Sequence, residues 1–106
     1  GGYNSRPVQE AQRLLTAAQS AQNAAQSEVA TTRANLNRVK SLEAEGLVSG
    51  RDLENAQTAF DTATARLQSS GADVEAASQE LSRQQRLAVS GVANSAEISE
   101  ASRALS

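Results

Sequence analysis

Apolar and small residues recur at alternating steps of three and four along most of the chain. This is the spacing of the a and d positions of a heptad repeat, which is typical of long helices packed along a narrow seam. It therefore predicts an all-α fold in which two long helices pack side by side. The first series is Ala11, Leu15, Ala18, Gln22, Ala25, Val29, Thr32, Leu36 and Val39, and the second is Leu53, Ala56, Phe60, Ala63, Leu67, Ser70, Val74, Ala77, Leu81, Gln84 and Ala88.

The predicted seam is thin because alanine dominates the apolar residues. Alanine supplies 21 of the 41 hydrophobic residues, whereas Leu, Ile, Val and Phe together number 19. Each buried CH₂ group contributes only about 0.8 kcal/mol, so an alanine seam stabilises a fold weakly. Four polar residues also interrupt the series, namely Gln22, Thr32, Ser70 and Gln84. We therefore expect two closely spaced helices of marginal stability rather than a thick globular core.

A helix stop and a helix start lie close together near the middle of the chain. Gly46 can adopt the left-handed conformation that ends a helix. Ser49 and Asp52 then form Ser-x-x-Asp, an acidic variant of the capping box that begins a helix. A link this short turns the second helix back along the first, which gives a long antiparallel two-helix coiled-coil hairpin. In this register, residues near Leu15 and Leu36 should pack against residues near Leu81 and Phe60 respectively. The predicted elements are a helix over residues 7–45, a tip turn over residues 46–49 and a helix over residues 50–90.

The same stop-and-start chemistry recurs near the end of the chain. Gly91 is followed by Asn94 and, three residues later, by Glu97. This pattern predicts a second turn over residues 91–94 and a short third helical segment over residues 95–106, at the open end of the hairpin. Because one seam runs through both long helices, we expect residues 1–106 to form a single α-hairpin domain.

The composition excludes several classes of function. The chain has no His and no Cys, so it offers no thiol nucleophile, no His general base and no His or Cys zinc ligand. Its 10 basic and 12 acidic residues leave a net charge of −2, unlike the basic footprint of a nucleic-acid-binding domain. We therefore expect no catalytic residue, no metal, no cofactor, no nucleic-acid partner and no enzymatic activity. The carboxylates beside the turn are interpreted as solvated helix-end charges: Glu43, Glu45, Asp52 and Glu54.

Two apolar residues, Leu47 and Val48, stand inside the predicted turn, although loop tips are usually polar. One interpretation is local: Leu47 packs on Leu53 or folds back on Leu42, as apolar residues beside helix caps often do. The other interpretation is functional: the two residues form an exposed apolar tip that docks a partner. The residues alone do not decide between these interpretations.

Three residues around this turn, Arg38, Leu42 and Ser49, stand in an Arg-x3-Leu-x6-Ser arrangement. The arrangement resembles the tip motif of periplasmic adaptor proteins, the membrane fusion proteins of tripartite efflux pumps and type I secretion systems. All three motif positions match, and residues 46–56 look like the family's turn and the start of its second helix. The stretches up to Gln12 and after Arg86 are similar to those of heavy-metal efflux adaptors, which makes that group the nearest resemblance.

The resemblance implies a function for the hairpin. Its tip would dock onto an outer-membrane channel protein, or onto neighbouring adaptor copies in a six-membered funnel, a hexamer of the full-length protein. The hairpin would serve as a spacer and duct wall in the periplasm. An inner-membrane pump would be reached through lipoyl and β-barrel domains that this sequence lacks, so we expect the chain to be a segment of a longer protein. The implied partner-binding residues are Arg38, Leu42, Gly46, Leu47, Val48 and Ser49.

Two other classes of protein also contain long helical hairpins. One is the helical barrel of an outer-membrane channel, in which we would expect strands of alternating apolar residues as well. The other is a structural coiled-coil or oligomerisation module, whose seam we would expect to be richer in Leu and Ile. The apolar turn favours the adaptor interpretation, because a free-standing coiled coil has no need of one.

Overall fold

A computed structural model of the chain describes the backbone of residues 5–105 and the side chains of residues 5–91 and 103. Over these residues the chain consists of two helices, α1 (Arg6–Ala44) and α2 (Gly50–Leu105), and contains no strand. The helices form an antiparallel hairpin, which confirms the predicted all-α fold class. Neither described helix combines the length and the hydropathy that a membrane span requires.

The start of α1 follows from a side-chain cap. The Val8 N–H donates to Ser5 Oγ at 3.4 Å, and the Gln9 N–H donates to the Ser5 carbonyl at 3.1 Å. Pro7 lies in the first turn, where an amide N–H would have no helical partner, so its missing donor costs nothing. The helix runs from Arg6 to Ala44, one residue earlier at each end than predicted.

The predicted turn over residues 91–94 and the separate helix over residues 95–106 are wrong. The second helix continues without a break from Gly50 to Leu105, so Gly91 lies inside it. Among the residues that the structure describes, only Gly46 has a positive φ. A glycine inside a helix costs about 1 kcal/mol relative to alanine, and the alanine-rich, proline-free sequence after Gly91 favours continuation. The local cap signal therefore did not end the helix.

The described residues form two compact units. The first, which we call the turn unit, is Ala18–Val74 and contains the end of α1, the turn and the start of α2. Its hydrophobic cluster brings the region of Leu36 together with the region of Phe60, as the heptad register predicts. The buried members are Leu36, Val39 and Ala56, and the half-buried residues packed against them are Val48, Leu53 and Phe60.

The second unit, which we call the terminal unit, contains the described residues up to Ala17 and from Glu75 onward. Val8 and Ala11 are buried hydrophobic residues among those of its side chains that the structure describes. Leu15 and Leu81, which the register expects to pack against each other, are both half-buried here. Of the large apolar side chains described over residues 5–17 and 75–91, three are exposed: Leu14, Leu87 and Val89.

The seam is as thin as the composition predicts. Four of the seven buried hydrophobic residues with described side chains are alanines, and Ala63 is the most enclosed at 0% exposure. The two hydroxyl residues of the seam, Thr32 and Ser70, bond within their own helix. Thr32 Oγ1 donates to the Glu28 carbonyl at 2.8 Å, and Ser70 Oγ donates to the Leu67 carbonyl at 2.9 Å. Their hydroxyl groups are thereby satisfied without any bond to the opposite helix.

Gly46 and Gly71 should respond in opposite ways to replacement by alanine. Gly46 has a φ of +75°, and nothing lies within 4 Å of where its Cβ would be, so Gly46→Ala costs only the left-handed backbone strain, about 1–2 kcal/mol. At Gly71 an added Cβ would meet Gln22 Nε2 at 3.6 Å, an ordinary contact, so Gly71→Ala should stabilise the helix by up to about 1 kcal/mol. Thermal unfolding followed by circular dichroism measures both changes, and shifts of the same sign would contradict this account.

A separate substitution tests the continuous second helix. Because Gly91 is exposed and an added Cβ would stand in open space, Gly91→Ala should raise the helical circular dichroism signal. A lower helical signal or a lower unfolding temperature would indicate that Gly91 occupies a left-handed turn instead.

Candidate functional site at the hairpin turn

Backbone hydrogen bonds close the end of α1 at the turn. The Gly46 N–H donates to the Glu43 carbonyl at 2.9 Å, and the Leu47 N–H donates to the Leu42 carbonyl at 2.9 Å. With Gly46 in the left-handed conformation, these bonds form a Schellman motif, which satisfies carbonyl groups that a helix end leaves open. The role predicted for Gly46 in ending the helix is confirmed.

A reciprocal pair of hydrogen bonds begins α2. The Asp52 N–H donates to Ser49 Oγ at 3.1 Å, and the Ser49 N–H donates to Asp52 Oδ2 at 3.1 Å. This is the predicted capping box with aspartate in the acidic position. The Asp52 carboxylate also lies in the first turn, where a negative charge interacts favourably with the helix dipole.

The two apolar turn residues have different environments. Val48 is half-buried and packs against the cluster of Leu36, Val39 and Ala56. Leu47 is 68% exposed. The sequence left open whether Leu47 packs locally or projects outward; the structure gives the exposed arrangement for Leu47 and the packed one for Val48. Val48 directly precedes the N-cap, where a packed apolar residue fixes the angle at which the chain enters the helix.

The remaining motif residues lie on the last turns of α1. Arg38 and Leu42 are four residues apart and therefore share a helix face. Arg38 is exposed, and Leu42 is half-buried. Among the residues with described side chains, Arg38 takes part in no ion pair.

The structure adds a residue that the sequence pattern did not indicate. Arg38 Nη2 donates to Asn35 Oδ1 at 2.7 Å, from one helical turn further along. Asn35 itself is half-buried beside the core residue Leu36. The i, i+3 spacing was present in the sequence, but a neutral amide beside an arginine is not a recognised ion-pair pattern.

Arg13 and Arg83 each bond the glutamate three positions before them in the sequence. Arg13 bonds Glu10, and Arg83 bonds Glu80 through Nε at 2.9 Å and Nη2 at 2.8 Å. Hydrogen bonds from Arg83 and then from Gln84 lower the pKa of the Glu80 carboxyl to about 2. The bond from Arg13 likewise lowers the pKa of the Glu10 carboxyl. Arg38 differs from both arginines because its hydrogen-bond acceptor is uncharged.

Two side-chain contacts join α1 to α2 within the turn unit. Arg66 Nη1 donates to Glu28 Oε1 at 2.9 Å across the hairpin. The Arg33 guanidinium lies over the ring of Phe60, 5.5 Å from its centroid, which is within the range of a cation–π interaction. Both contacts lie farther from the turn than Arg38 and Leu42 do, so they stabilise the helix pair without occupying the motif residues.

The chemistry of the turn is that of a contact surface. It presents one exposed leucine, an exposed guanidinium group and a backbone fixed by hydrogen bonds. Among the described residues there is no group of three or more His, Cys, Asp or Glu side chains that could hold a metal ion. Comparison of the chain with family models, with curated proteins and with solved structures gives no significant match.

Ser49→Ala should lower the free energy of unfolding by about 1 kcal/mol, because it removes the oxygen that accepts the Asp52 N–H. Ser41→Ala is the matched control near the same turn. The Ser41 hydroxyl bonds only the Asn37 carbonyl at 3.2 Å, which already has its helical partner, so this change should be nearly neutral. Urea unfolding of both variants measures the difference, and equal midpoints would contradict a capping role for Ser49.

Proposed function

We propose that the chain is the α-hairpin of a periplasmic adaptor protein and docks by its turn onto an outer-membrane channel of a tripartite efflux or secretion complex. The two helices then act as a spacer and as part of a duct wall. The observation that carries the proposal is Leu47, a leucine 68% exposed at a turn whose backbone is hydrogen-bonded to both flanking helices. The Arg-x3-Leu-x6-Ser arrangement around it supplies the family.

An exposed leucine on an ordered turn suits docking. Burial of a leucine side chain contributes about 1.5–3 kcal/mol. A turn that is already ordered loses little conformational entropy when a partner binds, so more of this free energy appears as affinity. Val48 supports the same arrangement, because its packing holds the turn against the hydrophobic cluster while Leu47 stays exposed.

Arg38 adds directional contacts to the apolar one. A guanidinium group carries five N–H donors, and the bond to Asn35 uses only one Arg38 nitrogen. The remaining donors are available to carbonyl or carboxylate oxygens on a partner. Leu42, on the same helix face and half-buried, extends the apolar part of this surface toward the turn.

The rest of the hairpin suits a spacer that stands beside other copies. Apart from Leu47, the exposed large hydrophobic residues with described side chains are confined to the terminal unit. The net charge of −2 is small, so neighbouring hairpins would repel each other weakly. Small seam residues also allow two helices to pack closely, which gives length from few residues.

Leu47→Asp should weaken binding to the channel by about tenfold or more, because it replaces an apolar contact with a charge that docking would have to desolvate. The assay measures binding of the chain to outer-membrane efflux channels of the source organism, purified and held in lipid nanodiscs. Because Leu47 is mostly exposed, the variant should unfold at the same temperature as the unmodified chain.

Leu14→Asp is the matched control for this test. Leu14 is 48% exposed on α1 but belongs to the terminal unit, 32 residues before Gly46 in the sequence. It should leave channel binding unchanged. Equal binding by both variants would rule out docking through the turn. Failure of the unmodified chain to bind any of the channels would favour the structural coiled-coil alternative.

A further inference from the structure

We infer that Asn35 is a positioning residue, which orients the Arg38 guanidinium for docking without neutralising its charge. This role rests on the proposed function of the turn and extends the partner-binding surface to a residue outside the Arg-x3-Leu-x6-Ser arrangement. The observation behind it is the 2.7 Å hydrogen bond from Arg38 Nη2 to Asn35 Oδ1.

The chain contains its own comparison for this geometry. At Arg13 and Arg83 the residue three positions earlier is a glutamate, which receives bonds from both Nε and Nη2 of the arginine. In each case the glutamate carboxylate both orients the guanidinium group and neutralises its charge. Asn35 occupies the same spacing relative to Arg38, but its amide oxygen is neutral and receives a bond from Nη2 alone.

This difference has a chemical consequence for binding. A guanidinium already paired with a carboxylate has to exchange that ion pair for a new one, so little is gained when it meets a partner. A free guanidinium on a flexible side chain loses rotamer entropy when it binds. The Asn35 bond restricts the side chain while leaving Nε and Nη1 and the positive charge available.

Asn35 is well placed to restrict Arg38. Its side chain is half-buried, and the next residue, Leu36, is 4% exposed in the core of the turn unit. Asn35 is therefore less exposed than the arginine that it holds. The partner chemistry that fits this arrangement is an oxygen-rich acceptor, a backbone carbonyl or a carboxylate, beside an apolar pocket for Leu47.

Two substitutions at Asn35 separate orientation from charge. Asn35→Ala removes the bond and should weaken binding to the nanodisc-held channel by about threefold. Asn35→Glu recreates the Glu–Arg pair found at Arg13 and Arg83, and should weaken binding by about tenfold or more although Arg38 stays oriented. Asn23→Glu, the same change at an exposed asparagine of α1 away from Arg38, is the matched control and should bind normally.

Three further measurements exclude a merely structural effect. In an Arg38→Ala background, both Asn35 substitutions should have no further effect on binding, because their effect acts through Arg38. NMR of the Arg38 guanidinium should show faster side-chain motion in Asn35→Ala and restricted motion in Asn35→Glu. Circular dichroism should give the same unfolding temperature for Asn35→Ala as for the unmodified chain, within the small gain from a better helix former.

The outcomes are distinct. If the unmodified chain binds the channel and Asn35→Glu binds equally well, the positioning role is overturned while docking by the turn stands. If the Asn35 substitutions weaken binding to the same extent with and without Arg38, Asn35 acts on its own and the role is also overturned. If the unmodified chain does not bind, the proposed function fails and the positioning role fails with it.

Discussion

The reciprocal hydrogen bonds between Ser49 and Asp52, together with the left-handed Gly46, fix the register of the helix pair. Glu28 and Arg66, which bond across the hairpin, each lie 16 residues from the helix end at the turn. The facing residues Gln22 and Gly71 also lie at nearly equal sequence distances from the turn, and so do Arg33 and Phe60. Every described contact between the helices therefore depends on where the turn begins and ends.

The seam could not set this register alone. Alanines are nearly interchangeable along a helix face, so sliding one helix against the other by a heptad would exchange similar contacts. The polar seam residues Thr32 and Ser70 bond backbone carbonyls of their own helix and would survive such a slip. A rigid turn that resists slippage also presents Leu47 in a constant orientation. The stability of the fold and the proposed docking surface thus share one cause.

Much of this structure could be read from the sequence, because its signals are local. Heptad spacing predicted both helices, and the glycine and capping residues predicted the turn to within one residue. The prediction of a turn at Gly91 was wrong, because a capping signal indicates only that a helix can end there. The surrounding sequence decides whether the helix does end. The sequence did not indicate which of Leu47 and Val48 is exposed. This depends on the direction in which the chain leaves the Schellman motif, which only the structure gives. The Asn35–Arg38 bond was missed because an amide carries no charge signal.

The even spacing of contacts about the turn has a consequence for how the chain folds. The sequence separation of residues that face each other across the hairpin grows with distance from the turn: 27 residues for Arg33 and Phe60, 38 for Glu28 and Arg66, and 49 for Gln22 and Gly71. The entropic cost of closing a loop rises with the length of the loop. Each contact therefore costs least when the contacts nearer the turn have already formed, because the loop that remains to be closed is then short. Folding of the turn unit should therefore start at Gly46–Asp52, and the contacts between the helices should form in order of their distance from the turn. Substitutions beside the turn would then slow folding, whereas substitutions toward Ala18 and Val74 would mainly speed unfolding.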